Sequence, residues 1–314
     1  MRATLITELG RPPSLGEAPD PVGDDVIEVV ATPLNPIDVA VWSGGFYGGH
    51  PELPYVPGCE AVGRERESGK LVWTFGGGLG TARDGTLATL ARSGTYVVEV
   101  PEGADPAVAA SLGIAGLAGW LPVAWRAPVR AGETVLVLGA TGTAGLVAVQ
   151  GARALGAGRI VAAGRSAAGL ERAAELGADT TVRIEEGVDL VAAFREACGG
   201  DGPNLVIDPL WSEPAAAAVE AAAPGARIVN LGQSAGPTAS LTSAAVRGKM
   251  LDLLGLSIFS VPAEVMATQY RELVQLAITG TVVVEVERVP LDEIGSAWER
   301  QASGSPGRKL VIVP

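Results

Sequence analysis

The stretch Glu133-Thr-Val-Leu-Val-Leu-Gly-Ala-Thr-Gly-Thr-Ala-Gly145 narrows the possible folds more than any other part of the chain. Val135 to Leu138 form a continuous apolar run, the pattern of a parallel strand covered on both faces. Ala140, Gly142 and Gly145 then take the three small-residue slots of a G-x-G-x-x-G turn, with Ala in the first. The second slot must lack a side chain so that backbone can approach a pyrophosphate, and the third lets helix and strand pack closely. Free N–H groups at the following helix start face phosphate oxygens. Ala140, Thr141, Gly142, Thr143, Ala144 and Gly145 are therefore candidate cofactor-binding residues.

The same alternation continues downstream. Leu146, Val149 and Leu155 mark a helix ending at Gly156, and Ile160 to Ala163 make a second strand. Leu170 to Leu176 is a helix stopped by Gly177, Thr180 to Ile184 a third strand, and Leu190 to Ala197 another helix. Leu205 to Asp208, Arg227 to Leu231 and Leu251 to Phe259 supply three more strands, with an Ala-rich helix from Glu213 to Ala223. Alternation at this spacing implies right-handed crossovers and a parallel, doubly wound α/β sheet. Six strands complete two mononucleotide-binding halves.

The end of the second strand discriminates between nucleotides. An NAD-preferring site places Asp or Glu there, about twenty residues past the glycines, to accept hydrogen bonds from the ribose 2′-hydroxyl. This chain has Gly164-Arg165-Ser166. A carboxylate would repel a 2′-phosphate, whereas a guanidinium binds it through paired, charge-assisted hydrogen bonds, and Ser166 adds a hydroxyl donor. NADPH is the expected cofactor.

At 314 residues the chain exceeds what one hydrophobic core usually supports, so a second domain is expected beside the nucleotide unit, placed at 123–258. A net charge of −12 disfavours nucleic acid or an anionic membrane as partner. No apolar run suggests a membrane span and the N-terminus has no signal-peptide pattern, so a cytoplasmic protein acting on a small molecule is expected. Two far-apart cysteines, Cys59 and Cys198, give no disulfide framework. Residues 1–122 are rich in strands and turns: Met1 to Thr7, Val26 to Ala31, Ala61 to Arg66 and Tyr96 to Val100 read as strands between Pro and Gly clusters. In the C-terminal part, 259–314, strands at Val282 to Val286 and Lys309 to Val313 flank a helix-like Leu291 to Gln301, with no partner sheet nearby. That part is expected to return to the first domain, with hinges near Leu121-Pro122 and Val261-Pro262.

Asn35-Pro-Ile-Asp38, Gly58-Cys-Glu-Ala-Val-Gly63, Gly113-Ile-Ala-Gly-Leu-Ala-Gly-Trp120, the Ala140 to Gly145 turn and the closing Gly307-Arg-Lys-Leu-Val-Ile occur in one order along the chain. Together they resemble the medium-chain dehydrogenase/reductase superfamily, in its zinc-free quinone oxidoreductase branch. The resemblance implies a Rossmann domain plus a GroES-like β-rich substrate domain, NADPH as hydride donor, and often a homodimer joined through the last Rossmann strand. It also implies Leu231, Gly232, Leu256 and Ser257 as further cofactor contacts.

Residue types bear on metal directly. A structural zinc takes four cysteines and a catalytic one three ligands from Cys, His and carboxylate, but the chain has one histidine, His50, and two cysteines. By resemblance, the positions of Asn35 and Cys59 hold a cysteine and a histidine ligand in zinc-dependent relatives. Asn35 is a poor zinc ligand, so no metal is expected; Cys59 reads as a packed small hydrophobe and His50 as a loop residue.

Without a Lewis acid, hydride addition to a plain ketone needs a well-placed proton donor, whereas an enone or quinone is already activated through its π-system. The expected reaction is therefore NADPH-dependent reduction of a conjugated enone or quinone. By similarity Asn35 and Tyr47 line the cleft near the nicotinamide, as amide and hydroxyl donors. Trp42, Phe46 and Tyr55 supply flat apolar walls. Tyr47 also reads as a surface aromatic on a Gly-rich loop, and Asp38 as a capping carboxylate. Relatives carry Thr-Ala-Trp where this chain has Ala118-Gly119-Trp120, and the segment from Arg64 to Thr95 is short, with Phe75-Gly-Gly-Gly-Leu-Gly80 expected to be mobile. These departures leave open a cofactor-binding protein, a biosynthetic enzyme whose step is not a net reduction, or a metal-free ketone reductase.

Overall fold

A computed structural model describes residues 1–304 and 308–314, so Gly307 of the closing motif lies outside the described residues. The chain divides into two units: Met1–Ala115 with Val261–Gly280 and Val284–Pro314, and Gly116–Ser260 with Thr281–Val283. The divisions fall at 115/116 and 260/261, against the 122/123 and 258/259 expected from the sequence.

In the first unit a short antiparallel pair, β1 (Arg2–Leu5) and β2 (Ser14–Glu17), precedes β3 (Val26–Pro33) and helix α1 (Pro36–Trp42). Strands β4 (Glu60–Glu65), β5 (Leu71–Phe75), β6 (Leu90–Arg92) and β7 (Tyr96–Glu99) follow, then α2 (Pro106–Ser111). Two of these strands, β5 and β6, lie in the short segment from Arg64 to Thr95. Its glycine run, expected to be mobile, is a built turn: Gly76, Gly77, Gly78 and Gly80 have positive φ, Gly78 O accepts from the N–H groups of Ala82 and Arg83, and Leu79 is buried. A Cβ at Gly80 would stand 2.7 Å from the carbonyl oxygen of Gly58, so close packing as well as turn geometry requires glycine there.

From the first unit the chain passes to the second through Pro106–Arg126, which by length and composition could cross a bilayer, contrary to the sequence expectation. Here it is a mostly buried segment, kinked where Gly113 leaves helical geometry (φ −63°, ψ −115°). The kink, rather than Leu121-Pro122, marks the crossing.

The second unit opens with α3 (Leu117–Leu121). Strand β8 (Thr134–Leu138), α4 (Thr143–Ala154), β9 (Arg159–Gly164), α5 (Ala167–Glu175), β10 (Thr180–Arg183) and α6 (Leu190–Ala197) come next. Strand β11 (Leu205–Asp208), α7 (Ser212–Ala221), β12 (Arg227–Asn230), α8 (Ser243–Gly248) and β13 (Asp252–Gly255) complete it. The six strands form a parallel sheet in the order β10-β9-β8-β11-β12-β13, with the order reversing between β8 and β11. Apolar residues of β8, β9 and β11 are buried, as crossover helices on both faces require. The last strand is shorter than the expected Leu251 to Phe259: Met250 turns at φ 51°, and Ile258–Ser260 coil into a 3₁₀ turn.

The chain then returns to the first unit through α9 (Ala263–Ile278), β14 (Val286–Pro290), α10 (Ile294–Ala302) and β15 (Lys309–Val313). Helix α9 occupies a stretch whose only expected feature is a hinge; Met266, Tyr270, Leu273 and Val274 bury one face at helical spacing. The strand expected at Val282 to Val286 begins only at Val286. The backbone N–H and carbonyl of Val283 instead bond the Gln150 side chain, at 2.7 and 3.0 Å, which takes this segment out of strand pairing. Strand β15 inserts between β14 and β3, giving a sheet in the order β14-β15-β3-β4-β5-β7 with β6 paired to β3.

Candidate functional site

In the nucleotide unit, the turn after β8 is made by Gly139, a residue outside the three motif slots. Its φ of +61° reverses the chain, while Ala140 is fully buried. Gly142 is the N-cap of α4 with no side chain capping the helix start, and a Cβ there would meet only Gly139 O, at 3.9 Å. The space over the first turn of α4 is therefore open, with helix-start N–H groups facing it. Gly145 has the opposite constraint: a Cβ would sit 2.4 Å from Gly139 O and 2.5 Å from Ala140 Cα, so glycine lets helix and strand touch. Thr141 packs on the end of β9, its Cγ2 2.6 Å from where a Gly164 Cβ would be.

Beyond Gly164, Arg165 is exposed and holds no ion pair among the described residues. Ser166 caps α5, its Oγ accepting from Gly169 N at 3.2 Å, and its hydroxyl proton stays available. An uncapped helix start, an open space that a Cβ would narrow and an uncommitted guanidinium fit a phosphorylated dinucleotide. Leu231 and Leu256 are half-buried at the ends of β12 and β13, Leu231 N donating to Asp208 O and Leu256 N to Asn230 O; Gly232 and Ser257 follow them. Gly119, in place of the relatives' Ala, allows α3 to lie on this helix start: a Cβ would come 2.1 Å from Ala144 O.

In the first unit, α1 begins at Asn35 with Pro36 at its first position and a capping box in which Asn35 N donates to Asp38 Oδ2 at 2.7 Å. Asp38 Oδ1 accepts from Cys59 N at 3.0 Å, which settles it as a capping carboxylate; burial pushes its pKa up. Asn35 is fully buried and wholly committed. Its Nδ2 donates to Glu60 Oε1 at 2.8 Å and to Pro33 O at 3.3 Å, and its Oδ1 accepts from Lys309 Nζ at 2.6 Å. Asn35 is corrected accordingly: with both amide hydrogens bonded and no exposure, it is not a donor to a substrate oxygen.

Glu60 is the hub of this cluster; it lies inside the Gly58-Cys-Glu-Ala-Val-Gly63 motif, but the sequence reading assigns it no role. Besides Asn35, it accepts from Trp73 Nε1 at 2.7 Å and from Ile114 N at 2.8 Å, the N–H freed by the Gly113 kink. Gly113 must be glycine, since a Cβ would fall 1.9 Å from Glu60 Oε2. Burial lifts the Glu60 carboxyl to about 7, opposed by the Lys309 ammonium and these hydrogen bonds. Burial likewise drops Lys309 to about 8, opposed by Glu60 and Asp38. The Cys59 thiol is pushed well up by burial and by Asp38, as for a packed, unreactive group. Zinc does not fit this set: the Asn35 oxygen is taken by an ammonium, Asp38 by backbone N–H groups, and Lys309 already supplies a buried positive charge. No group of three His, Cys, Asp or Glu able to hold a metal occurs among the described residues.

The aromatic candidates separate. Tyr55 is buried in the core with Ile6, Leu34 and Trp298, and is corrected from pocket wall to core residue; burial and the nearby Asp38 raise its pKa. Trp42 packs edge-on against Trp298, ring centres 6.1 Å apart, and its Nε1 donates to Arg11 O. Phe46 is half-buried, with Tyr47 against it at 4.6 Å and itself 85% exposed. His50 lies in an exposed loop, its Nδ1 2.7 Å from Pro51 O.

A doubly wound sheet with an open glycine turn, in a chain that also carries a β-rich unit, defines a dinucleotide-binding class of protein. The family described as zinc-binding dehydrogenase matches residues 144–279. The mouse quinone oxidoreductase-like protein 2 is 30% identical over 262 residues, covering 81% of this chain and 74% of that protein. A phenolphthiocerol/phthiocerol polyketide synthase component of Mycobacterium tuberculosis is 30% identical over 313 residues, 93% of this chain; the chain spans 14% of that protein's length. A mycobacterial protein solved in complex with NADPH superposes with a TM-score of 0.85 at 24% identity, with both chains covered in full. The chain belongs to the medium-chain dehydrogenase/reductase superfamily, in its quinone oxidoreductase-like branch, a family of NAD(P)-dependent oxidoreductases.

Proposed function

We propose that this protein is an NADPH-dependent, zinc-independent reductase of a conjugated enone or quinone. The observation that carries the cofactor choice is Arg165, an exposed guanidinium without an ion pair at the end of β9, where an NAD site would hold a carboxylate. Ser166 and the open turn at Gly142 complete the phosphate-binding groups, and the NADPH complex of the mycobacterial neighbour supports the same choice. NADPH, when bound, supplies a hydride. The chain's own part is to bind the phosphates, to hold the substrate, and to stabilise the oxygen on which charge develops. Tyr47 is the proposed hydroxyl donor, because its side chain is exposed while Asn35 is consumed in the buried cluster. Conjugated acceptors are favoured because Asn35, at the position of a zinc ligand in zinc-dependent relatives, is bonded through its oxygen to the Lys309 ammonium. Relatedness to part of a polyketide synthase makes an unsaturated acyl thioester a member of the acceptor class to test.

NADPH should bind more tightly than NADH, and Arg165→Asp should abolish or reverse the preference, at a cost on the order of 2–3 kcal/mol for NADPH. Equal affinity of the unmutated protein for both nucleotides would defeat the cofactor assignment. Deuterium from C4 of labelled NADPH should appear in the product of an enone, quinone or enoyl thioester; its absence from every product of such a panel would defeat the reaction.

A further inference from the structure

Trp211 and Ser212, just past the end of β11, have φ values of 59° and 56°. For Trp211 ψ is −158°, which places a large side chain in a region of backbone space that is essentially glycine's alone. The chain carries 43 glycines, several of them in the turns after the strands of this sheet, and yet has tryptophan here. Its conformation is enforced by a built network. Asp208, fully buried, accepts from Leu210 N at 2.9 Å and Trp211 N at 2.8 Å through Oδ1, while Oδ2 accepts from Asn230 Nδ2 at 2.9 Å. Asn230 Nδ2 also donates to Gly232 O, and Ala235 N to Leu210 O, which ties the loops after β11 and β12 together.

The location gives the strain a meaning. Strands β8 and β11 flank the point where the sheet order reverses, and the loop after β11 touches the phosphate turn: a Cβ at Gly139 would meet Pro209 Cγ at 3.0 Å and Leu210 Cδ2 at 3.2 Å. Arg165 lies across β8, after β9. A dinucleotide whose adenosine end lies over β9 therefore extends its other half over β11 and β12. Trp211 is partly buried, and its side chain has no ring or hydrogen-bond partner among the described residues.

We propose that Trp211 is a contact for the nicotinamide riboside half of the bound dinucleotide, offering it a flat apolar face that a glycine in the same backbone would not. The inference rests on the NADPH reading above and adds to it a residue on the nicotinamide side. Compact aromatic faces of this kind bind planar rings and sugars through packing rather than charge.

The experiment compares the unmutated protein, Trp211→Gly and Trp211→Phe, measuring thermal unfolding without nucleotide and NADPH affinity by titration. Trp211→Gly should unfold at a temperature no lower than the parent's, because glycine takes this backbone without strain. It should also bind NADPH at least about fivefold more weakly, while Trp211→Phe stays within about twofold of the parent. A smaller loss in Trp211→Gly overturns the inference, as does a Phe variant as weak as the Gly variant. A melting temperature well below the parent's in Trp211→Gly also overturns it, by making the indole a packing residue. Failure of the unmutated protein to bind NADPH overturns the cofactor reading and this inference together; tight binding by parent and Trp211→Gly alike removes Trp211 alone.

Discussion

Glu60 holds a carboxylate where water does not reach, and its environment sets a pH signature. Its carboxyl is pushed up from 4.5 to about 7, so between those values the folded chain keeps a proton that the unfolded chain has lost. Stability from this group is present below pH 4.5 and declines as the pH rises towards 7. Lys309 is drawn down from 10.5 to about 8, so its share of stability grows as the pH rises from 8 to 10.5, where only the unfolded chain stays protonated. Glu60→Gln removes the first slope. The melting temperature of the variant relative to the parent should climb between pH 4.5 and 7; a difference that stays flat would mean that the buried carboxyl titrates normally. Tyr47 is a different kind of residue, exposed and stabilised by little beyond Phe46. If its hydroxyl holds the developing oxyanion, Tyr47→Phe slows turnover by roughly tenfold to a thousandfold and leaves NADPH affinity nearly intact. An unchanged rate removes it from the mechanism.

At the scale of elements, the phosphate turn is legible in the sequence because its requirements are local: an apolar strand, small residues at fixed offsets and a helix, all within Glu133 to Gly145. The Asn35, Glu60 and Lys309 cluster is not, because it gathers residues from the start of α1, from β4 and from β15, and nothing in one segment announces the other two. Gly113 and Gly119 are readable as glycines but not as contacts. The first makes room for a carboxylate and the second for a carbonyl of α4, which only packing reveals. Helix α9 is hidden although Met266, Tyr270 and Leu273 repeat at helical spacing, since Val261-Pro262 reads as a break when Pro262 in fact starts the helix. The Gly119 contact makes a direct prediction. With its Cβ 2.1 Å from Ala144 O, Gly119→Ala must push α3 off the start of α4. Overpacking of this sort costs about 1–3 kcal/mol, so thermal denaturation should show a clear drop, and NADPH affinity should fall with it because the displaced carbonyl belongs to the first turn of the phosphate-binding helix. A variant as stable as the parent would show that α3 is free to shift.

For the whole molecule, net charge and an open sheet edge meet at β13. Among the described residues that strand pairs with β12 on one side only, and Met250, Leu253 and Phe259 around it are exposed. A strand with one open edge and apolar neighbours is a natural surface for a second copy, related by a two-fold axis so that each edge completes the other. We therefore propose the homodimer that the family resemblance implies. Each chain brings a net charge of −12, so association has to overcome long-range repulsion with backbone hydrogen bonds and apolar burial. The sign of the salt effect follows: added salt screens the repulsion and should strengthen the dimer, opposite to what an interface built on ion pairs would do. Light scattering should give twice the chain mass at moderate salt and a shift towards monomer on dilution at low salt. Leu253→Asp, which adds a charge at the seam, should move that shift to higher salt without lowering NADPH affinity, since Arg165 and the Gly142 turn lie on other strands' loops. A single-chain mass for the unmutated protein at every salt concentration would leave this edge without a partner of its own kind.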